Sequence, residues 1–170
     1  MSQRIEDYAL IGDTQTAALV GKDGSIDWLC TPRFDSGAVF AALLGTRERG
    51  RWRIAPAGGL QRVERKYVDD TLVLETTFVT DDGTVKVTDC MPIRNRTVDI
   101  VRVVEGISGR VPMHMDLVIR FDYGSIVPWV RRKGDDLHAV AGPDAMVLKT
   151  PARTRGAGAS TVSDFVVAAG

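Results

Sequence analysis

The most constraining feature of this chain is an eleven-residue run, Val111-Pro-Met-His-Met-Asp-Leu-Val-Ile-Arg-Phe121, whose apolar side chains recur at every second position. Val111, Met113, Met115, Leu117, Ile119 and Phe121 lie on one face; Pro112, His114, Asp116, Val118 and Arg120 lie on the other. A period of two is that of an extended strand with one buried side, and a helix could not gather those six residues onto one stripe. A strand with a single apolar face needs partner strands and a second layer above it.

The rest of the chain supplies both. Thr71–Thr80 is rich in β-branched and aromatic residues, the chain breaks at Asp82-Gly83, and Thr84–Asp89 resumes in phase at Val85 and Val87, which predicts a tight hairpin. Ala17–Val20 and Ser25–Leu29 flank Gly21-Lys-Asp-Gly24 and predict another. Further strands are expected at Trp52–Ala55, Val63–Val68, Val98–Val104, Leu137–Val140, Met146–Lys149 and Val162–Ala168. One segment reads as helical: Asp35 or Ser36 is placed to cap Ala38–Leu44, and Gly45 to stop it. The expectation is an all-β antiparallel sandwich with one short helix, forming a single domain over residues 1–170. The chain stops at Val166-Val-Ala-Ala-Gly170, inside an apparent strand, so an N-terminal part of a larger chain is expected.

Charge narrows the partners. Lys plus Arg and Asp plus Glu each number 22, so the formal net charge is zero, and the basic excess of a nucleic-acid-binding surface is missing. No apolar run approaches the roughly 20 residues that span a bilayer. Residues 1–13 lack the apolar core of a secretory signal, so a cytoplasmic location is expected. Cys30 and Cys90 stand alone, outside any CxxC pair, and are read as reduced thiols.

The motifs in the first forty-five residues are the most specific. Ile11-Gly-Asp-Thr-Gln-Thr-Ala-Ala-Leu-Val20, Asp23-Gly-Ser-Ile-Asp-Trp-Leu-Cys30, Pro32-Arg-Phe-Asp-Ser36 and Phe40-Ala-Ala-Leu-Leu44 resemble the opening of bacterial family 15 glycoside hydrolases, the glucoamylase and trehalase group. Weaker matches continue in order through Trp52–Pro56, Asp70–Glu75, Thr88–Pro92, Arg102–Glu105 and Arg120–Gly124. The resemblance implies a trehalase-like N-terminal β-domain ahead of an (α/α)6 barrel that carries the acid and base for inverting hydrolysis of an α-glucoside, trehalose or an α-glucan. Inversion requires two carboxyls about 6.5–9.5 Å apart. Nothing in this sequence matches the barrel's motifs, so no catalytic residue is assigned here and the chain alone is expected to be inactive. The implied partners are the downstream catalytic domain and, through it, the α-glucoside; a second copy of the chain is another. No cofactor is assigned to these residues, although phosphate and magnesium are associated with some full-length trehalases of the group.

The acid pairs Asp69-Asp70, Asp81-Asp82 and Asp135-Asp136 sit at turns, where Asp hydrogen-bonds nearby amides. His114 and His138 are isolated and lack metal-ligand spacing. Arg131-Arg-Lys133 is followed at once by Gly134-Asp-Asp136 and reads as a charged hairpin. The best candidate for binding is the loop Thr31–Ser36 with Trp28: Trp28 and Phe34 are types that stack on sugars, and Arg33 and Asp35 could bond hydroxyls or face the barrel. The structural alternative makes Asp35 a helix cap, Arg33 a partner of some carboxylate, and both aromatics core. Two rival functions remain open. An independent carbohydrate-binding module requires Trp28, Trp52 or Trp129 on an open face; a structural or oligomerisation domain requires buried tryptophans and an exposed apolar surface.

Cysteine usage gives a direct test. Thiol titration of denatured, unreduced protein is expected to find two free groups per chain, and none would refute the reading.

Overall fold

The computed structural model describes residues 3–170. In chain order the strands are β1 (Tyr8–Gly12), β2 (Ala17–Gly21), β3 (Ser25–Cys30), β4 (Ala38–Phe40), β5 (Arg51–Pro56), β6 (Leu60–Tyr67), β7 (Leu74–Thr80), β8 (Gly83–Cys90), β9 (Val101–Val118), β10 (Trp129–Lys133), β11 (Asp136–Ala141), β12 (Asp144–Leu148), β13 (Arg155–Ala157) and β14 (Ser160–Ala168). All of their ladder pairings are antiparallel, and the fold is an all-β, sandwich-like domain.

The two expected hairpins form, β2–β3 and β7–β8, closing on Gly24 and Gly83 with φ of 80° and 143°. At Gly24 a Cβ would fall 2.2 Å from the Ile54 carbonyl oxygen, so both the turn and the close approach of β5 require glycine. Both strands of the β7–β8 hairpin are one-sided. Leu74, Thr76, Phe78 and Thr80 of β7, with Val85, Val87 and Asp89 of β8, point inward.

The period-two run that dominates the sequence is the second half of a longer element. β9 is 18 residues long and merges the expected strands at Val98–Val104 and Val111–Phe121. Its first half pairs with β8, Gly83↔Gly109 to Cys90↔Val101. Its second half lies between β5 and β14, pairing Met115 with Ile54 on one side and Ser163 on the other. The ladder slips between Thr84 and Val85, opposite Ser108 and Gly106, and Gly109 takes φ 69°. A bulge with glycine is how a strand turns from one sheet into another. The core lies between the halves so joined: Ile11, Val20, Ile26 and Ile54 meet Leu74, Phe78, Val85 and Val87 across Val111, Met113 and Met115. β10–β11–β12 form a separate three-stranded sheet, anchored to this core through Ala139 and Leu148.

The expected helix at Ala38–Leu44 does not form. Ala38–Phe40 is β4, which pairs with β3 through Leu29↔Phe40 and Cys30↔Ala38, and only Ala42–Leu44 coils, into a single 3-10 turn ended at Gly45. Ala38, Val39, Phe40, Ala41 and Ala42 are all buried. Isolated helices shorter than about 12–15 residues are marginal, and a β-branched and aromatic pair fits an extended, buried segment better. The segment Val166–Ala169 is paired: β14 runs along β9 to Ala168↔Arg110, and the Ala169 amide donates to Gly109 O at 3.3 Å. Cys30 and Cys90 are both free.

One buried ion pair ties the layers together. Arg102 of β9 donates from Nε to Asp89 Oδ1 at 2.7 Å and from Nη2 to Asp89 Oδ2 at 3.2 Å, both side chains being 1% exposed. Its remaining donors reach Trp52 O on β5 at 2.9 Å and Gly24 O at 2.8 Å, and the guanidinium carbon lies 5.2 Å from the centre of the Trp52 ring. Breaking such a pair strands a buried charge, at a cost of about 3–5 kcal/mol. Asp89→Asn and Arg102→Met are each expected to lower unfolding stability by that amount in urea titrations; a loss below about 1 kcal/mol would contradict the assignment.

Candidate functional site

Trp28 and the Thr31–Ser36 loop sit where three other connections converge. The β3–β4 loop is closed at its base by the Thr31 amide donating to Gly37 O at 3.3 Å, and by Arg33 N and Ser36 N bonding Ser36 Oγ and Arg33 O at 3.2 and 3.1 Å. The Thr31–Pro32 peptide is cis. On one side the Phe34 amide donates to Gln15 O at 3.2 Å, fastening the loop to the β1–β2 turn. On the other the Tyr123 hydroxyl donates to Ser36 O at 3.4 Å, fastening it to the segment that leaves β9.

The β1–β2 turn is itself braced from below. Asp13 Oδ1 accepts from the amides of Gln15 and Thr16 at 3.0 and 2.8 Å, and Oδ2 accepts from Arg94 Nε at 2.8 Å. Arg94 stands in the β8–β9 connection, so this pair draws a fourth segment into the cluster. Thr16 Oγ1 donates to Cys30 O at 2.7 Å. Burial pushes the Asp13 carboxyl up, but the two amides and the Arg94 guanidinium outweigh it and hold Asp13 below its usual value.

The Tyr123 side is backbone-strained. Asp122, Tyr123 and Gly124 adopt φ of 49°, 58° and 98° in succession, and Arg49 Nη1 donates to Tyr123 O at 3.3 Å. Left-handed geometry at a non-glycine residue costs about 1–3 kcal/mol and persists only where its surroundings enforce it. The enforced conformation brings the Tyr123 ring to 6.0 Å from that of Trp28, tilted 46°, within the range of aromatic pairs.

The four singled-out residues therefore divide. Trp28 is half-buried, packed with Tyr123 against Cys30, Ala38 and Ala41. Phe34 is 63% exposed at the loop's tip. Arg33 Nε and Asp35 Oδ1 pair with each other at 3.1 Å on the surface. The Arg33 hydrogen bond holds the Asp35 carboxyl below the usual carboxylate range, so at neutral pH it is a charged hydrogen-bond acceptor. With no helix at Ala38, Asp35 caps nothing. Sequence reasoning missed Tyr123, Asp13, Gln15 and Arg94. Tyr123 was visible only as part of Arg120-Phe-Asp-Tyr-Gly124, where Asp and Gly mark a turn. The Asp13–Arg94 pairing spans 81 residues and leaves no local signal.

This constellation presents one exposed aromatic, one surface ion pair and a braced aromatic pair, which suits contact with a surface or a sugar ring. Among the described residues no group of three or more His, Cys, Asp or Glu could hold a metal ion, and no helix is long and apolar enough to cross a membrane. The other tryptophans lie elsewhere: Trp52 beneath Arg102, and Trp129 at 87% exposure on β10.

The family described as trehalase-like, N-terminal matches residues 1–163. The trehalase of Mycobacterium tuberculosis is 35% identical over 70% of this chain and 20% of its own length. Trehalase 1 of Sulfolobus acidocaldarius is 35% identical over 75% of this chain and 21% of its own, and the Thermoplasma volcanium trehalase 32% identical over 76% and 22%. The relatives thus include archaeal as well as bacterial proteins, and the chain spans about a fifth of their length. No solved structure matches. The chain belongs to the trehalase-like N-terminal family.

Asp13 sets a pH dependence. Its depressed folded-state value means that its contribution is complete above the unfolded value of 3.8 and is lost as pH falls through the folded one. Asp13→Asn should lower stability by about 3 kcal/mol at neutral pH, the gap to wild type narrowing as pH falls below 3.8 and through the depressed folded-state value. A gap that stays constant across that range would contradict the assignment.

Proposed function

We propose that this chain is the non-catalytic N-terminal domain of a family 15 glycoside hydrolase acting in the cytoplasm on an α-glucoside, trehalose or an α-glucan, and that it docks on and stabilises a catalytic (α/α)6 barrel. The relatives named above are trehalases, and the matched segment is a minor part of each, which supports a role subordinate to a larger catalytic body. The observation that carries the docking role is the Phe34 loop. An exposed aromatic normally belongs to a mobile tip, yet here both flanks of the loop are hydrogen-bonded to separate segments and its base is closed. Preorganising a loop lowers the ordering cost of contact, and aromatics with arginines are the usual anchors of interfaces. Trp28 and Tyr123 act beneath it as supports, and the Arg33–Asp35 pair forms a polar rim.

A second reading is favoured by Trp129. On the outer face of β10 it stands 87% exposed, directly across from Val140 of β11, an open platform of the kind that stacks a sugar ring. On this reading the chain binds carbohydrate itself.

The two are separable. The Mycolicibacterium smegmatis trehalase, also 35% identical, matches over 20% of its length, and its remainder is the partner to test. Mixed with that remainder, the present chain is expected to co-sediment, and Phe34→Asp to weaken association about tenfold or more without altering its own unfolding midpoint. Purified chain alone should release no glucose from trehalose or maltose. Glucose release by the chain alone, or unchanged association in Phe34→Asp, would contradict the proposal. Retardation on an α-glucan affinity gel, abolished by Trp129→Ala, would favour the second reading.

A further inference from the structure

A cavity of about 560 Å3 opens where the three-stranded sheet meets the end of β9 and the β13–β14 hairpin. Its wall is chemically lopsided. It contains four arginines, Arg120, Arg131, Arg132 and Arg155, and three hydroxyls, Thr154, Ser160 and Thr161, and no Asp or Glu. In a chain whose positive and negative side chains are equal in number, that is a local concentration of one sign.

Arg120 is the decisive residue. It is 7% exposed, yet among the described residues its one hydrogen bond runs from Nη1 to the adjacent Ile119 O at 2.7 Å, and no carboxylate there pairs with it. Arg102, whose side chain is also buried, is supplied with a bidentate carboxylate and two carbonyls. A guanidinium has five donors, and those of Arg120 that the protein leaves unpaired are not sealed off, so they are open to an acceptor in the cavity. Arg132 is also without a carboxylate: it donates to Asp135 O at 3.3 Å, Thr154 O at 3.3 Å and Thr154 Oγ1 at 2.6 Å, which fixes its guanidinium at the cavity wall. Arg155 is partly neutralised by Asp164 at 3.0 Å.

We infer that this cavity binds a small organic oxyanion, a carboxylate or a phosphate monoester, with Arg120 and Arg132 receiving the charged head. Guanidinium forks match the planar spacing of such oxygens. The cavity is far larger than one oxyanion, and Leu117, Ile119, Val127, Val130 and Leu137 line the remainder, so the ligand carries a carbon body against an apolar wall. The inference does not rest on the proposed function: the cavity residues are distinct from the Phe34 loop.

The test is calorimetric titration of the full chain at matched ionic strength with phenyl phosphate, benzoate, inorganic phosphate and phenol. Saturable binding of phenyl phosphate or benzoate is expected, tighter than that of inorganic phosphate and of phenol, and whichever anion binds identifies the head group. Arg132→Gln, at an exposed rim position, should weaken it about tenfold, and Arg120→Gln should abolish it while circular dichroism confirms folding. Should Arg120→Gln fail to fold, Arg132→Gln alone decides. Absence of saturable binding by either organic anion, equal binding of phenol or inorganic phosphate, or unchanged affinity in Arg132→Gln would overturn the inference.

Discussion

The buried pair between Arg102 and Asp89 is the interaction on which the two halves of this domain depend. Every donor nitrogen of that guanidinium is used, and its acceptors lie on β8, on β5 and in the β2–β3 turn. β5 and the β2–β3 hairpin are paired with each other, and β8 meets them through β9 and the apolar core. A hydrophobic core is tolerant of rearrangement, whereas a fully buried fork with four bonds admits one geometry. The pair therefore contributes positional definition as well as energy. The layers cannot slide without stranding a charge in a low-dielectric interior.

The long strand β9 makes this arrangement possible. Its first half belongs with β8 and its second with β5 and β14, and the change of partner falls at Gly109 and Arg110, just past the slip opposite Gly106 and Ser108. A Cβ on Gly106 would stand 2.4 Å from Ala168 O, and one on Gly109 would stand 2.1 Å from Asp82 O, so both glycines let neighbouring backbones close on the bend. Beyond the bend, β9 runs out into the Asp122–Gly124 turn, whose left-handed geometry sets Tyr123 over Trp28. The same strand thus connects the central ion pair to the braced loop that carries Phe34.

The sequence made some of this legible and hid the rest for physical reasons. The Asp-Gly hairpins and most of the strand positions rest on local rules, a period of two and the φ demands of tight turns, and they appear in the structure; the one-sided alternation expected over Val111–Phe121 holds only as far as Met115, because Asp116, Val118 and Arg120 of the other face are buried as well. The misread segment, Ala38–Leu44, is one where local propensity and tertiary burial disagree. Its alanines and leucines suit a helix, but pairing of Phe40 and Ala38 with β3 buries both residues more completely. At the candidate site, Phe34 and the Arg33–Asp35 pair could be picked out because they lie within one loop. Tyr123 and the Asp13–Arg94 brace could not, since they come from segments remote in sequence and carry no periodic or compositional mark. Likewise Arg120 reads in sequence as an ordinary polar position on an alternating strand; only the fold reveals that it is buried without a carboxylate.

This trehalase-like N-terminal domain spans about a fifth of its relatives, and the proposed docking role needs a face offered to the rest of such a protein. The braced loop at residues 31–36, supported by Tyr123 and tied to the β1–β2 turn, is the face this account assigns to that contact. Amide hydrogen exchange, followed by mass spectrometry on the chain alone and in complex with the remainder of a relative trehalase, tests it most directly. The account predicts new protection concentrated in residues 31–37 and 121–126, with β10–β12 unchanged. Protection confined to β10–β12, or none anywhere, would contradict it.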